Sequence, residues 1–317
     1  MSCAIQFGED ETAVRTTTCR KRTGLLTLAV TSLAVTAAGA ITMASASAAP
    51  LWPGGPDVPG APAVIQSPQP EPGAAPVKNP PPLPKADFAA PSISPGDGEV
   101  VGVAQPIIIN FKDPVGDRAA AEKAIRITSS NATPGHFYWR GDKQVRWRPE
   151  EFWSANSDIT VEAGGTTVAY KVGDAVITTA DDATHTITIT RNGEVIRTMP
   201  TSMGKKDHET PNGTYYVGEK NRKMIMDSST YGVPVTDPQG YKLEVEYATR
   251  LSNNGIFVHA APWSVAQQGV SDSSHGCLNV STEDAQWFFD NAQKGDPVVV
   301  THSAGDFAAS DGMGDWS

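Results

Sequence analysis

Six consecutive residues, Ser274-His275-Gly276-Cys277-Leu278-Asn279, hold a thiol, an imidazole and a glycine side by side, and a second imidazole, His259, lies eighteen positions before Cys277. Nucleophilic catalysis by sulfur needs three things: a thiol that can become a thiolate, a nearby imidazole to take its proton, and hydrogen-bond donors for the developing oxyanion. This stretch offers all three. Gly276 lets a substrate carbonyl approach the backbone, and the N–H groups of Gly276 and Cys277 are the candidate oxyanion donors. A lone cysteine is ordinarily a small, buried, inert residue. The polar, turn-forming neighbours of Cys277 argue against a core position. A cysteine paired with histidine is expected to have its pKa lowered. Eighteen residues are too many for one helix face or one hairpin. They fit two strand ends joined by a loop, with residues 269–276 as its mobile part.

A length of 317 residues allows about two domains at ~150 residues each, and the part of the chain after the first 95 residues is long enough to bury a core. The net charge of −10 argues against nucleic acid as a partner, because phosphate binding needs a basic patch. Cys3 and Cys19 precede an apolar run, so Cys277 is the one thiol after it. An unpaired thiol kept in an oxidising compartment is a liability unless it has a task.

That apolar run organises the N-terminal part of the chain. Arg20-Lys21-Arg22 is followed by Gly24 to Met43 without a charge, and then by Ala44-Ser45-Ala46 and Ala46-Ser47-Ala48. This is the layout of an export signal, and it is also just long enough to be an uncleaved membrane anchor. The basic cluster places everything after it outside the cytoplasm. The expected localisation is therefore exported: the outer face of the cytoplasmic membrane, the periplasm or the cell wall. Residues 1–49 are read as signal or anchor. Residues 50–92, dense in Pro, Ala and Gly, are read as a semi-extended linker.

The rest of the chain reads as mainly β. Over residues 93–172, Ile107-Ile108-Ile109, Ile125-Arg126-Ile127, Val145-Arg146-Trp147 and Ile159-Thr160-Val161 are short strands at sandwich spacing. Residues 118–124 read as one helical turn. His136, Trp139, Trp147 and Trp153 are expected in the core and corners. Over residues 173–303, Thr186 to Thr190, then Asn192-Gly193, then Val195 to Arg197 form a hairpin with a type I′ turn. One clear helix follows Cys277. Ser281 caps it, with Asp284 as capping-box partner. Ala285, Phe288, Phe289 and Ala292 form its buried face, and Gly295 ends it. Residues 304–317, rich in Gly, Ser and Asp, are read as a disordered tail.

The residues also carry a resemblance. His259 followed by Ser274-His275-Gly276-Cys277-Leu278-Asn279 resembles the signature of the L,D-transpeptidase catalytic domain of YkuD type. Ser202-Met203-Gly204-Lys205, Met226-Asp227-Ser228-Ser229-Thr230-Tyr231-Gly232, Gly240-Tyr241 and Ala261-Pro262-Trp263-Ser264 resemble its actinobacterial, mycobacterial-type members. The segment Val145-Arg146-Trp147-Arg148-Pro149 resembles the Ig-like domain that precedes it in those enzymes. The resemblance implies an Ig-like β-sandwich followed by a mostly-β catalytic domain. It implies ping-pong acyl transfer on peptidoglycan, without a cofactor or metal. Cys277 would attack the diaminopimelate carbonyl of a donor tetrapeptide and D-Ala would leave. The amine of an acceptor stem would then resolve the thioester into a 3→3 cross-link. His259 takes the general-base position, and His275 and Gly276 belong to the catalytic motif. The third catalytic partner is the backbone carbonyl after the base, here that of Ala260, where relatives often carry Ser. Met226, Tyr231, Tyr241, Gly255, Trp263, Ser274 and Asn279 fall on substrate-binding positions. Acylation of the cysteine by carbapenems is also implied.

Three rival readings remain open at this point. Water in place of the acceptor amine gives an L,D-carboxypeptidase. A non-catalytic wall-binding protein would use the Ig-like domain alone. A zinc site built from His259, His275 and Cys277, with His185, His208 or His302, lacks the usual ligand spacings.

Overall fold

The computed structural model describes residues 80–306 and 312–316. The expected export segment and most of the linker lie outside the described residues. Among the described residues, no helix is long and apolar enough to cross a membrane.

The first half is a two-sheet sandwich built from β1 (Ser92–Ser94), β2 (Val100–Val101), β3 (Ile107–Asn110), α1 (Arg118–Lys123), β4 (Ile125–Ser129), β5 (Gly135–Trp139), β6 (Gln144–Pro149), β7 (Asp158–Ala163) and β8 (Thr166–Val172). One sheet has the order β1-β3-β6-β5 and the other β2-β8-β7-β4. Period-two alternation fills the space between them: Val145 and Trp147 from β6, Val161 from β7, and Val168, Tyr170 and Val172 from β8 all point inward. Trp153 is buried against Trp147, ring centroids 5.0 Å apart. Its indole N–H donates to the Gln105 carbonyl at 2.8 Å, which satisfies the one polar atom of a large core side chain. His136 departs from expectation: it is exposed on β5, because its neighbours Phe137 and Trp139 take the inward positions.

The second half contains β9 (Val176–Asp181), β10 (Thr186–Arg191), β11 (Glu194–Pro200), β12 (Gly213–Tyr216), β13 (Lys220–Asp227), β14 (Lys242–Arg250), β15 (Phe257–Ala260), β16 (Leu278–Val280), α2 (Thr282–Asn291) and β17 (Pro297–Thr301). Its sheets run β11-β10-β9-β17-β12 and β13-β14-β15-β16. The β10–β11 hairpin turns at Asn192 (φ 51°) and Gly193 (φ 89°), the doubly left-handed pair that a type I′ turn requires. Helix α2 starts as expected, with Ser281 Oγ accepting from Asp284 N at 3.0 Å. Ala285 and Phe288 are buried in the core. Burying a side chain such as Phe288 contributes roughly 1.5–3 kcal/mol. The helix ends at Asn291 with Ala292 extended. Gly295 is instead used three residues later, at φ 87°.

That glycine belongs to a seam between the two halves. Gly102 N donates to Lys294 O at 2.8 Å, and Ala104 N to Gly295 O at 2.9 Å. A Cβ on Gly102 would lie 2.2 Å from Asp296 N, so only glycine permits this approach. Residues 312–316, within the expected tail, close the same seam. The Asp315 carboxylate is wholly buried and accepts from Arg146 at 2.7 Å, from the Tyr216 hydroxyl at 2.6 Å and from Tyr138. Trp316 packs edge-on against Phe152, and its indole N–H donates to Ala104 O at 2.9 Å. Asp315 and Trp316 are thus held by a buried charge pair and one aromatic anchor.

Candidate active site

Strands β15 and β16 are parallel neighbours, with Val258 opposite Leu278, His259 opposite Asn279 and Ala260 opposite Val280. Val258, Ala260, Leu278 and Val280 all point into the main core of this half. Strand alternation then sends His259 and Asn279 to the other face. Phe257 and Cys277 join them there in a separate apolar cluster with Met226, Val245 and Ala248. The parallel register sets residue 277 two positions before Asn279, the partner of His259, and the connection between the two strands carries the intervening residues.

The connection is fastened along its length. Gly269 N donates to Thr201 O at 2.9 Å, and Ser273 N and Ser274 N donate to Met203 O at 3.1 and 2.9 Å. Ser202 Oγ and Ser273 Oγ are 2.7 Å apart, and Met203 N donates to Asp272 Oδ1 at 3.0 Å. The expected mobile loop is therefore laced to the segment 201–205. The sequence reading had cited most of that segment for its resemblance and given it no structural task.

His259 is almost wholly buried, and its Nδ1 lies 2.9 Å from the Ala260 carbonyl. A carbonyl only accepts, so Nδ1 carries the proton and Nε2 of the neutral ring is the lone-pair nitrogen. Burial holds its pKa below the usual histidine value, while the Ala260 bond opposes that shift. Trp263, 55% exposed, lies with its ring 6.0 Å from that of His259.

Cys277 differs from expectation in two respects. It is buried within its apolar cluster despite its polar sequence neighbours, and burial pushes its thiol up to about 11 instead of down. Its S–H donates to the Gly255 carbonyl at 3.5 Å, and the Phe257 backbone opposes the shift through a hydrogen bond to the sulfur. Gly255 adopts φ 92° and aims that carbonyl at the thiol from the β14–β15 turn. Burial thus favours a neutral thiol and a neutral imidazole at rest. Alkylation of Cys277 by iodoacetamide should accordingly keep accelerating up to about pH 11. A rate already level near pH 8 would contradict this.

The other residues of the motif divide into two groups. Ser274 is buried, and its Oγ donates to Cys277 O at 2.7 Å while accepting from Gly276 N at 3.1 Å. At rest the Ser274 hydroxyl and the Gly276 N–H are therefore engaged with one another and with the backbone of the motif. Gly276 adopts φ 110°, a conformation that favours glycine, and shapes the turn before Cys277. His275 sits at the surface end of the motif with its ring 4.7 Å from His208 and 5.2 Å from Tyr241. Its Nε2 is 3.3 Å from Gln239 Oε1. Burial first, then Lys205 and His208, hold its pKa low.

Met226 is buried beside Cys277, and Tyr241 packs on the same cluster. The Asn279 side chain is buried and donates to Ser264 Oγ at 3.2 Å, while its backbone carbonyl accepts from Ser202 N. Tyr231 ends the 3-10 turn Ser228–Tyr231. His185 and His302 lie against aspartates on and after β9 and are not part of this cluster. Residues that the sequence reading missed are Gly255 in its thiol-holding role, and Gln239 and His208 around His275.

Comparison with known proteins matches residues 175–300 to the YkuD L,D-transpeptidase catalytic domain and residues 83–168 to a bacterial Ig domain. L,D-transpeptidase 1 of Mycobacterium tuberculosis (strain H37Rv) is 44% identical over 209 residues, which cover 66% of this chain and 83% of that protein. The chain belongs to the L,D-transpeptidase family. L,D-transpeptidase 2 of M. tuberculosis (strain CDC 1551) is 48% identical over 247 residues, covering 73% of this chain and 60% of that longer relative. Among solved structures, an L,D-transpeptidase in complex with imipenem is 43% identical, with a TM-score of 0.66 over 68% of this chain and 99% of that one. One from Mycobacterium smegmatis is 42% identical, with a TM-score of 0.64 over 68% and 100%. The expected family and the mainly β fold are both borne out.

Proposed function

We propose that the protein is an exported peptidoglycan L,D-transpeptidase that forms 3→3 cross-links through a thioester on Cys277. The observation that carries this reading is the His259 Nδ1–Ala260 carbonyl bond. It fixes the tautomer whose Nε2 can take a proton, on the strand beside Cys277. A carbonyl partner needs no hydroxyl, so the alanine at position 260 keeps that role intact.

The chemistry follows from the resting geometry. The S–H turns from the Gly255 carbonyl to His259 Nε2 and gives up its proton as Sγ attacks the diaminopimelate carbonyl of the donor. The Cys277 N–H is the motif's candidate donor for the oxyanion. On collapse of the tetrahedral species, the C–N bond to D-Ala breaks and His259 returns the proton to the leaving amine. The acceptor amine then attacks the thioester, its surplus proton passes to His259, and the thiol is restored. A buried site restrains water and so favours the amine over hydrolysis. Met226 and Tyr241, packed in the cluster of Cys277, and Trp263, beside His259, are the proposed substrate contacts, with Tyr231 on the 3-10 turn after β13. The relative solved in complex with imipenem supports carbapenem binding here, with Cys277 as the proposed point of acylation.

Intact-protein mass spectrometry after exposure to donor tetrapeptide without acceptor tests the covalent step. The reading requires an adduct of the tripeptide acyl mass on the chain and none on Cys277→Ala. An adduct that persists in Cys277→Ala would place the nucleophile elsewhere.

A further inference from the structure

Away from the catalytic face, the turn between β9 and β10 brings Asp182 and His185 against Asp272. One ligand-capable atom from each residue lies within 4.8 Å of the others. His185 Nδ1 is 3.8 Å from Asp182 Oδ1 and 3.5 Å from Asp272 Oδ1. Asp182 Oδ1 and His185 Nδ1 are both closed off from solvent and have no hydrogen-bond partner. Leaving buried polar atoms unpaired costs about 1–3 kcal/mol each, so something at this point should satisfy them. Two carboxylates also face one another here. Burial, and then the neighbouring Asp272, push the Asp182 carboxyl up to about 6.

The donor set and spacing fit a metal ion. Zinc–nitrogen and zinc–oxygen bonds of roughly 2.0 Å give a tetrahedral edge of about 3.3 Å. The two imidazole–carboxylate separations exceed that edge by only a few tenths of an ångström. One imidazole and two carboxylates make a three-ligand set that leaves a fourth position for water. The Met203 N–H donates to Asp272 Oδ1 at 3.0 Å, the oxygen that also faces His185, and so holds that carboxylate in place, as hydrogen bonds to ligating carboxylates do.

We propose that Asp182, His185 and Asp272 bind a divalent cation of zinc type. Asp272 lies five residues before Cys277, in the connection laced to segment 201–205. The ion would therefore pin the segment that carries the nucleophile to the β9–β10 turn. The site shares no ligand with Cys277, His259 or His275, and the proposal stands whether or not the chain forms cross-links.

The test is calorimetric titration of Zn²⁺ into the purified full chain carrying Cys277→Ala, which removes the reactive thiol as a competing ligand. Asp272→Asn and His185→Ala are made in that background. The Asn side chain keeps an acceptor for Met203 N–H, and its metal-free melting curve reports whether the fold is intact. If it is not, Asp182→Asn takes its place. The expected result is a binding event weakened about tenfold or more by each substitution. Zn²⁺ should also raise the melting temperature of the parent and not of the variants. No binding event, or one with the same stoichiometry and affinity in both variants, would overturn the proposal. In that case a proton on His185 or Asp182 is what satisfies the cluster.

Discussion

Replacing Cys277 with alanine should abolish acyl-enzyme formation, and replacing His259 with alanine should slow it by about 10²–10⁴-fold, the range expected for loss of a general base. The size of the second effect follows from the resting state. A thiol at about 11 is thiolate in only roughly one molecule in 10⁴ at pH 7, so the base must remove the proton during attack. The pH profiles separate this account from an ion-pair mechanism. Burial holds His259 below the usual histidine value, so wild-type acylation should fall only as the pH drops below about 6.5, when Nε2 becomes protonated. The His259→Ala variant should instead accelerate about tenfold per pH unit toward 11, tracking the thiolate. Acylation rates read by intact mass across this range decide the matter. A His259→Ala variant as fast as wild type at pH 7 would remove His259 from the mechanism.

The largest loss of stability is expected from Asp315→Ala. The wholly buried carboxylate answers Arg146, whose side chain is only 15% exposed, and both the Tyr138 and Tyr216 hydroxyls. Removing one partner of a buried ion pair costs about 3–5 kcal/mol, because a buried charge is left uncompensated. Asp315→Asn keeps an acceptor and should cost less. Urea unfolding followed by tryptophan fluorescence measures both. A change within about 0.5 kcal/mol, typical of a surface substitution, would show that the chain end is not part of the fold. Because Arg146 lies on β6 and Tyr216 on β12, the same substitution should loosen the seam between the halves.

What could be read from the sequence was local. The I′ hairpin at Asn192-Gly193, the cap at Ser281 and the sandwich strands each depend on residues within a few positions of one another. That residues 259 and 277 belong to neighbouring strand ends joined by a long connection came from the length of the gap. Long-range effects were hidden. Asp315 finds its partners 177 and 169 residues away, and nothing in a Gly- and Asp-rich stretch signals that. Strand β14 was overlooked, although Leu243, Val245 and Tyr247 alternate inward, because Lys242, Glu244 and Glu246 mask the pattern. Those charges pair across to Asp227 and Lys223 on β13, at exposed positions where each pair contributes about 0–1 kcal/mol. The burial of Cys277 was also invisible. Its neighbours in sequence are polar, whereas its neighbours in space, Met226, Val245 and Phe257, come from three other strands. For the same reason, neither the Gly255 carbonyl as resting partner of the thiol nor the use of Ser274 to fasten Gly276 could be read from the motif.

The central claim is acyl transfer between stem peptides, and the most direct measurement is mass spectrometry of products from the protein and a disaccharide-tetrapeptide bearing diaminopimelate. The account predicts a dimer with the loss of one D-Ala, absent with Cys277→Ala. Loss of D-Ala with no dimer would contradict transpeptidation and make the enzyme an L,D-carboxypeptidase.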